Sequence, residues 1–258
     1  MMSTLKEFVL ANNEHEVEKS HYLWYNKKKD GGIIAMLITS ANAMMGTVFD
    51  DTNEMAMRLN IGDCLTFGSF VPSFDSSDVP VRLPMLWHVI DKQCGSRLKL
   101  LSDFFFEHTG YWPLHGNSSA VTWKETDIRH DLNSKYYNNC FSEREREAIL
   151  TTEVKTKTYD SSIITTNDKL FLPALEDIEN IPEHLKIGRG VYANCFGDDI
   201  PSVELLYCFY WLRDPGEAED ENLVVQGYAD SKLVIDSLDH NADEVGVRAV
   251  MFIDAEKI

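Results

Sequence analysis

A chain of 258 residues that is 44% hydrophobic and 26% charged is long enough to bury a substantial core and too apolar for wholesale disorder. With Lys+Arg at 24 against Asp+Glu at 42, the net charge of -18 repels phosphate backbones and anionic lipid surfaces. No basic stripe with interleaved aromatics appears, so no nucleic-acid partner is expected.

The first 58 residues differ in texture from the rest. Leu5, Phe8 and Val9 fall near helical spacing after Ser3-Thr4, and a second apolar stretch, rich in Ala and Met, runs from Ile33 to about Val48. Gly31-Gly32 separates them. Residues 1–58 therefore read as an N-terminal helical appendage on a domain spanning 59–258, or as a helix pair that docks a partner. Lys27 to Lys29, the run Ile33 to Ile38 and Ala41-Asn42-Ala43 stand in the order of a secretory signal. They lie too deep in the chain and the run is short, which favours a cytoplasmic over a secreted protein. No run approaches the roughly 18 apolar residues of a membrane span, so none is expected.

From Ile61 short apolar runs alternate with turn signals. Ile61–Gly68, Pro84–Asp91 and Arg97–Ser102 predict three antiparallel strands, with a hairpin at Lys92 to Ser96. Thr122-Trp123-Lys124-Glu125 has the spacing of a capping box ahead of the apolar pair Ile128 and Leu132, with Asn133-Ser134 softening the end. Ser142-Glu143-Arg144-Glu145 repeats that pattern before Ala148, Ile149 and Leu150. The Thr-rich stretch from Thr151 to Asn167 reads as a long surface connection. Asp168–Pro173 follows as a short strand, and Glu176–Asn180 as one helical turn stopped by Pro182.

The aromatic run Leu205 to Trp211 ends in Leu212-Arg213-Asp214-Pro215-Gly216, and an acidic loop follows with Glu217, Glu219, Asp220 and Glu221. Leu223–Gly227 and Leu233–Ile235 read as strands, and Gly246–Asp254 as a buried terminal strand that partners the Trp211 segment. An arginine beside a core tryptophan can stack on the ring and reach a carboxylate through its fork of donors, so Trp211, Arg213 and Arg248 are expected to meet in one polar knot. The plainer reading makes both arginines structural ties between loops and core.

These landmarks carry a resemblance. Trp87-His88-Val89-Ile90-Asp91, Leu100-Leu101-Ser102, Trp123 to Arg129, Leu132-Asn133, Tyr137-Asn138, Phe141-Ser142, Asp168 to Leu172, Trp211-Leu212-Arg213 and Gly246-Val247-Arg248 occur in the order seen in a large bacterial family of unknown function. The resemblance covers about Ile61 to Asp254. Its ending also resembles C-type-lectin-like domains of the formylglycine-generating-enzyme type. That likeness implies an α+β fold: a twisted, mostly antiparallel sheet flanked by short helices and long loops, often presenting a ligand surface. Ala249 stands where proline is usual, Pro173-Ala174 where a serine is common after Phe171-Leu172, and Asp214 where serine follows the Trp-Leu-Arg triplet. The oxidative chemistry of that enzyme type needs a cysteine pair, and no motif supplies one here.

Other candidate chemistry is sparse. The five cysteines lack a C-x-x-C pair, which argues against a zinc ribbon or a full disulfide framework and leaves buried thiols as the default, with a single disulfide open. Asp127 and His130 share a helix face and would offer two metal ligands, but no third is identifiable. Asp239 to Glu244 begins like a calcium loop and then fails it at Glu244 and Val250; loop oxygens at Glu217 to Glu221 are the remaining calcium candidate. There is no nucleophile elbow, P-loop or dinucleotide fingerprint, and the scattered histidines form no legible triad, with His88 placed on an exposed strand face opposite Trp87. The reading is a noncatalytic binding or scaffold domain of a bacterial protein that recognises a carbohydrate or protein ligand through the loops Trp211 to Glu221 and Tyr111 to Trp123. Its site residues are Trp211, Arg213, Asp214, Arg248, Tyr111 and Trp112, with no metal, no cofactor and no catalytic residue. The alternative is a metal-dependent or oxidative enzyme on the same frame.

Overall fold

The computed structural model describes residues 58–70, 83–93, 96–106, 110–113, 121–188, 207–228, 233–242 and 245–258. The proposed N-terminal helices, the signal-like stretch and most of the loop between Pro113 and Val121 lie outside these residues.

Three strands open the fold as their alternation predicts: β1 (Cys64–Phe70), β2 (Leu83–Lys92) and β3 (Arg97–Ser102), each antiparallel to the next. The terminal strand β11 (Val250–Asp254) lies antiparallel beside β3 and closes a sheet of order β1-β2-β3-β11-β4, with β4 being Ile149–Leu150 and β7 (Leu170–Phe171) also pairing to β11. β11 is buried on both faces, which is why its sequence is an unbroken apolar run. Beside this sheet stand a three-stranded antiparallel sheet of order β10-β9-β8, from β8 (Tyr207–Pro215), β9 (Glu221–Tyr228) and β10 (Val234–Asp239), and a two-stranded hairpin of β5 (Thr152–Lys157) and β6 (Ile163–Asp168). The class is α+β, dominated by antiparallel sheet.

The hairpin corrects the expectation of an irregular connection. β5 reads Thr-Glu-Val-Lys-Thr-Lys and buries every second residue, so Thr152, Val154 and Thr156 face inward. The signal was present as period-two alternation; threonine in place of larger apolar residues disguised it.

The helical middle is also better ordered than the capping patterns suggested. Thr122 makes no cap to the backbone; the chain takes a tight turn over Trp123–Glu125, and Thr126 is the true N-cap of α1 (Asp127–Asp131), its hydroxyl accepting from Arg129 N. Helix does not end at Asn133 but continues through a widened π turn (Leu132–Tyr136) into α2 (Tyr137–Cys140). Asn133 earns its place inside that turn. Its Oδ1 accepts from Lys169 N at 2.7 Å and its Nδ2 donates to Leu170 O at 2.8 Å, fastening the helix to β7. At α3 (Glu143–Ala148) the box is as read: Ser142 and Glu145 satisfy each other's backbone donors. Short helices α4 (Leu175–Glu179) and α5 (Glu183–Lys186) flank Pro182.

Trp87, Trp123 and Trp211 are all fully buried, as three large core residues should be. Gly68, at φ +79°, lets β1 run against α2, since a Cβ there would meet the Phe141 ring at 2.7 Å. Cys64 and Cys140 are buried thiols outside any disulfide. Among the described residues no helix is long and apolar enough to cross a membrane.

Candidate functional site

The terminal strand does not pair with the Trp211 strand as expected, since β11 lies in the sheet with β3, β4 and β7; the Trp211 and Gly246 segments touch at one bridge ahead of it. Tyr210 and Gly246 form a parallel bridge, with Trp211 N donating to Gly246 O at 3.1 Å and Gly246 N to Phe209 O at 2.8 Å. Only glycine permits that approach, because a Cβ at 246 would meet the Phe105 ring and Phe209 O inside 3 Å.

The single knot, however, is two separate anchors. Adjacent strand residues face opposite sides, so Tyr210 and Trp211 draw different neighbours. Arg248 is fully buried over the Tyr210 ring, 5.3 Å from its centroid, and donates to Ser102 O through Nε at 2.5 Å and to Lys186 O through Nη1 at 3.1 Å. Arg213 lies instead over the Phe171 ring at 5.5 Å, donating to Leu172 O at 2.8 Å and approaching Asp177 Oδ2 at 3.4 Å. Trp211 packs edge-on against Tyr111 at 5.5 Å.

A bulge in β8 explains where Arg213 points. The β8–β9 register slips between Trp211 and Pro215, and Asn222 fills the gap by donating to Leu212 O at 3.1 Å and Asp214 O at 2.9 Å. Arg213 N meanwhile bonds Pro173 O at 3.0 Å. Asp214 is likewise tied down, accepting from Leu175 N at 2.7 Å; burial raises its carboxyl above the usual carboxylate value.

Tyr111, expected to be a ligand-binding residue of the loop Tyr111 to Trp123, is fully buried. Burial, with Asp214 adding to it, pushes its phenol well above the ordinary value, and the hydroxyl sits beside Asn222 without a partner in hydrogen-bonding geometry among the described residues. Trp112, by contrast, is 41% exposed. His88 is buried rather than exposed, because its strand is covered on both faces.

The loops named from sequence do border a cavity, with one wall that sequence reading missed. A cleft of about 300 Å³ lies between Val121–Trp123, the β5–β6 hairpin and the segment from Arg213 to Asn222. Its polar lining includes Lys157, Thr158, Asp160, Ser162, Glu219 and Glu221, with Arg213 and Asn222. Tyr159, 54% exposed, stands at its edge. The wall is braced from behind by Asp168, which is buried and accepts from Trp123 Nε1 at 3.0 Å, Arg129 Nε at 2.8 Å and Thr166 Oγ1 at 2.6 Å. On the same wall the Thr156 hydroxyl is buried and has no hydrogen-bond partner among the described residues. The Thr158 hydroxyl and the Ser162 N–H donate to Asp160 Oδ1, and hydrogen bonds from these two residues keep its carboxyl below the usual value.

Nothing brings a third ligand to Asp127 and His130. Asp127 Oδ1 accepts from Ile128 N, His130 is exposed, and no group of three His, Cys, Asp or Glu side chains able to hold a metal ion forms among the described residues. Glu221 of the acidic loop accepts from Ala218 N and Ser237 Oγ.

A family model described as Domain of unknown function (DUF6273) matches residues 95–255. The chain belongs to that family. The DUF6273 match begins just ahead of β3 and ends just after β11, so it contains the whole cleft and both arginines, while β1 and β2 precede it. No curated protein and no solved structure matches the chain.

Proposed function

We propose that this DUF6273 chain is a noncatalytic binding domain whose cleft takes a small, hydroxyl-rich ligand of the saccharide class. The carrying observation is the cleft itself, lined by the carboxylates of Asp160, Glu219 and Glu221, the side chains of Thr158 and Ser162, Asn222, and the cations Lys157 and Arg213. Carboxylates at Asp160 and Glu219 and the amine of Lys157 supply the mixed acceptors and donors that a sugar needs. Tyr159, exposed at the rim, supplies a ring face for stacking.

The likeness to C-type-lectin-like domains belongs to the same proposal. It is supported by the Trp-Leu-Arg strand touching the Gly-Val-Arg segment at the Tyr210–Gly246 bridge. Recognition then runs through the hairpin and the Arg213 to Asn222 segment. Trp211, Arg248 and Tyr111, all buried, shape the frame beneath.

A glycan array followed by calorimetry on the best glycan tests the reading. Binding that falls at least tenfold in both Tyr159→Ala and Glu219→Gln, with unchanged circular dichroism, is the expected result. Absence of any array signal above that of the Tyr159→Ala protein overturns it.

A further inference from the structure

The sequence holds no legible triad, yet the first sheet assembles one. Cys64 opens β1 and is in direct cross-strand register with His88 of β2, so both side chains leave the same face of the sheet. Asp103 follows the last residue of β3, where its N–H bonds Leu86 O at 2.9 Å and turns its carboxylate toward the same face. The thiol and the carboxylate take opposite ends of one imidazole: Cys64 Sγ is 2.8 Å from His88 Nδ1, and His88 Nε2 is 2.6 Å from Asp103 Oδ1. All three are buried.

The order of groups determines the protons. An ionised Asp103 only accepts, so the Nε2 end of His88 carries hydrogen and Nδ1 is left to take the thiol proton. Asp103 thus acts as a positioning residue, holding the ring in the tautomer and orientation that general-base activation of a thiol requires. A buried cysteine packed only among apolar groups would be inert. Cys140, equally buried and placed in α2, serves as the comparison.

We propose that Cys64 is an imidazole-activated nucleophile, with His88 as its base, that adds to small, uncharged α,β-unsaturated carbonyl compounds. Burial restricts the electrophile to a small one, and the Asp103 carboxylate beside the site disfavours an anion. In the addition, Sγ bonds the β-carbon, the alkene electron pair shifts to the α-carbon, and the thiol proton travels through His88 Nδ1 to that carbon. Nothing leaves and no oxidant is consumed. The array sits apart from the cleft, and Cys64 and His88 precede the DUF6273 match, so the activity would belong to this chain's added strands.

Acrylamide labelling of the native full-length protein, read by peptide mass spectrometry at Cys64 and Cys140, tests this directly. Cys64 is expected to react at least tenfold faster than Cys140. His88→Gly should bring Cys64 down to the Cys140 rate, with free imidazole restoring labelling, and Asp103→Asn should slow Cys64 alone. Equal rates at the two cysteines in the native protein, or labelling of Cys64 that His88→Gly leaves unchanged, overturn the proposal. Should His88→Gly fail to fold, the native Cys64-to-Cys140 ratio and its response to Asp103→Asn decide.

Discussion

Trp123 and Asp168, 45 residues apart, meet through a 3.0 Å hydrogen bond from the indole Nε1 to Oδ2, and this contact joins the turn on one side of the cleft to the hairpin on the other. Arg129 and Thr166 converge on the same carboxylate. Replacing Asp168 by alanine leaves a guanidinium and an indole without their acceptor in a largely desolvated setting. The expected loss is about 3 kcal/mol, measured by urea denaturation, with Asp168→Asn losing less because an amide oxygen still accepts from the indole.

The two threonines at the start of the helical run differ in what they do. Thr126→Ala should cost about 1 kcal/mol, because its hydroxyl caps α1, whereas Thr122→Ala should lie within roughly half a kcal/mol of the parent. Ser142→Ala, which breaks a complete capping box, should resemble Thr126→Ala. Chemical denaturation of the three proteins side by side checks the ranking.

Two glycines with positive φ make a second pair. At Gly62, φ +95°, no atom lies within 4 Å of the missing Cβ, so Gly62→Ala meets only backbone strain, about 1 kcal/mol. Gly68→Ala adds a collision with the Phe141 ring to the same strain and should cost roughly 3 kcal/mol, a gap readable in thermal melts.

Stability should carry a pH signature from Asp214. Burial raises its carboxyl above the ordinary 3.8, so the folded state holds the proton more tightly than the unfolded chain. Its contribution is therefore greatest below that ordinary value and declines as pH rises through the raised one. Asp214→Asn, able to keep the acceptor for Leu175 N, should flatten the decline. Denaturation midpoints compared from about pH 3 to pH 7 would show the two curves converging at the acid end.

Arg248 offers a test of anchoring without a carboxylate. It holds two carbonyls, Ser102 O and Lys186 O, while Nη2 is buried with no hydrogen-bond partner among the described residues. Arg248→Ala should cost about 3 kcal/mol through the cavity and the two orphaned carbonyls. Arg248→Lys should recover only part, since an ammonium cannot reproduce the planar fork over the Tyr210 ring. Urea midpoints of the two variants rank them.

Local patterns carried much of the frame. Short apolar runs between turn signals placed β1, β2 and β3, the apolar run after Gly246 placed β11, and the Ser142 box placed α3, because each depends on neighbours within a few residues. The family was legible too, through motifs kept in order along the chain. Where the reading failed, short-range chemistry had been overruled at a distance. Thr122 spells a cap that Thr126 performs, and the threonines of β5 hide a hairpin that the cleft depends on.

By itself the sequence determined the apolar runs of the first sheet, the Ser142 capping box and the acidic balance, since those follow from residue type and spacing alone. Which side chains would meet was decided only in three dimensions. Tyr210 and Trp211 are neighbours whose faces oppose, so Arg248 lies over Tyr210 and Tyr111 packs on Trp211, while Arg213 goes to Phe171; Cys64, His88 and Asp103 are strangers that one strand register lines up. Register and bulges set those meetings, and both are properties of paired strands that no single strand contains.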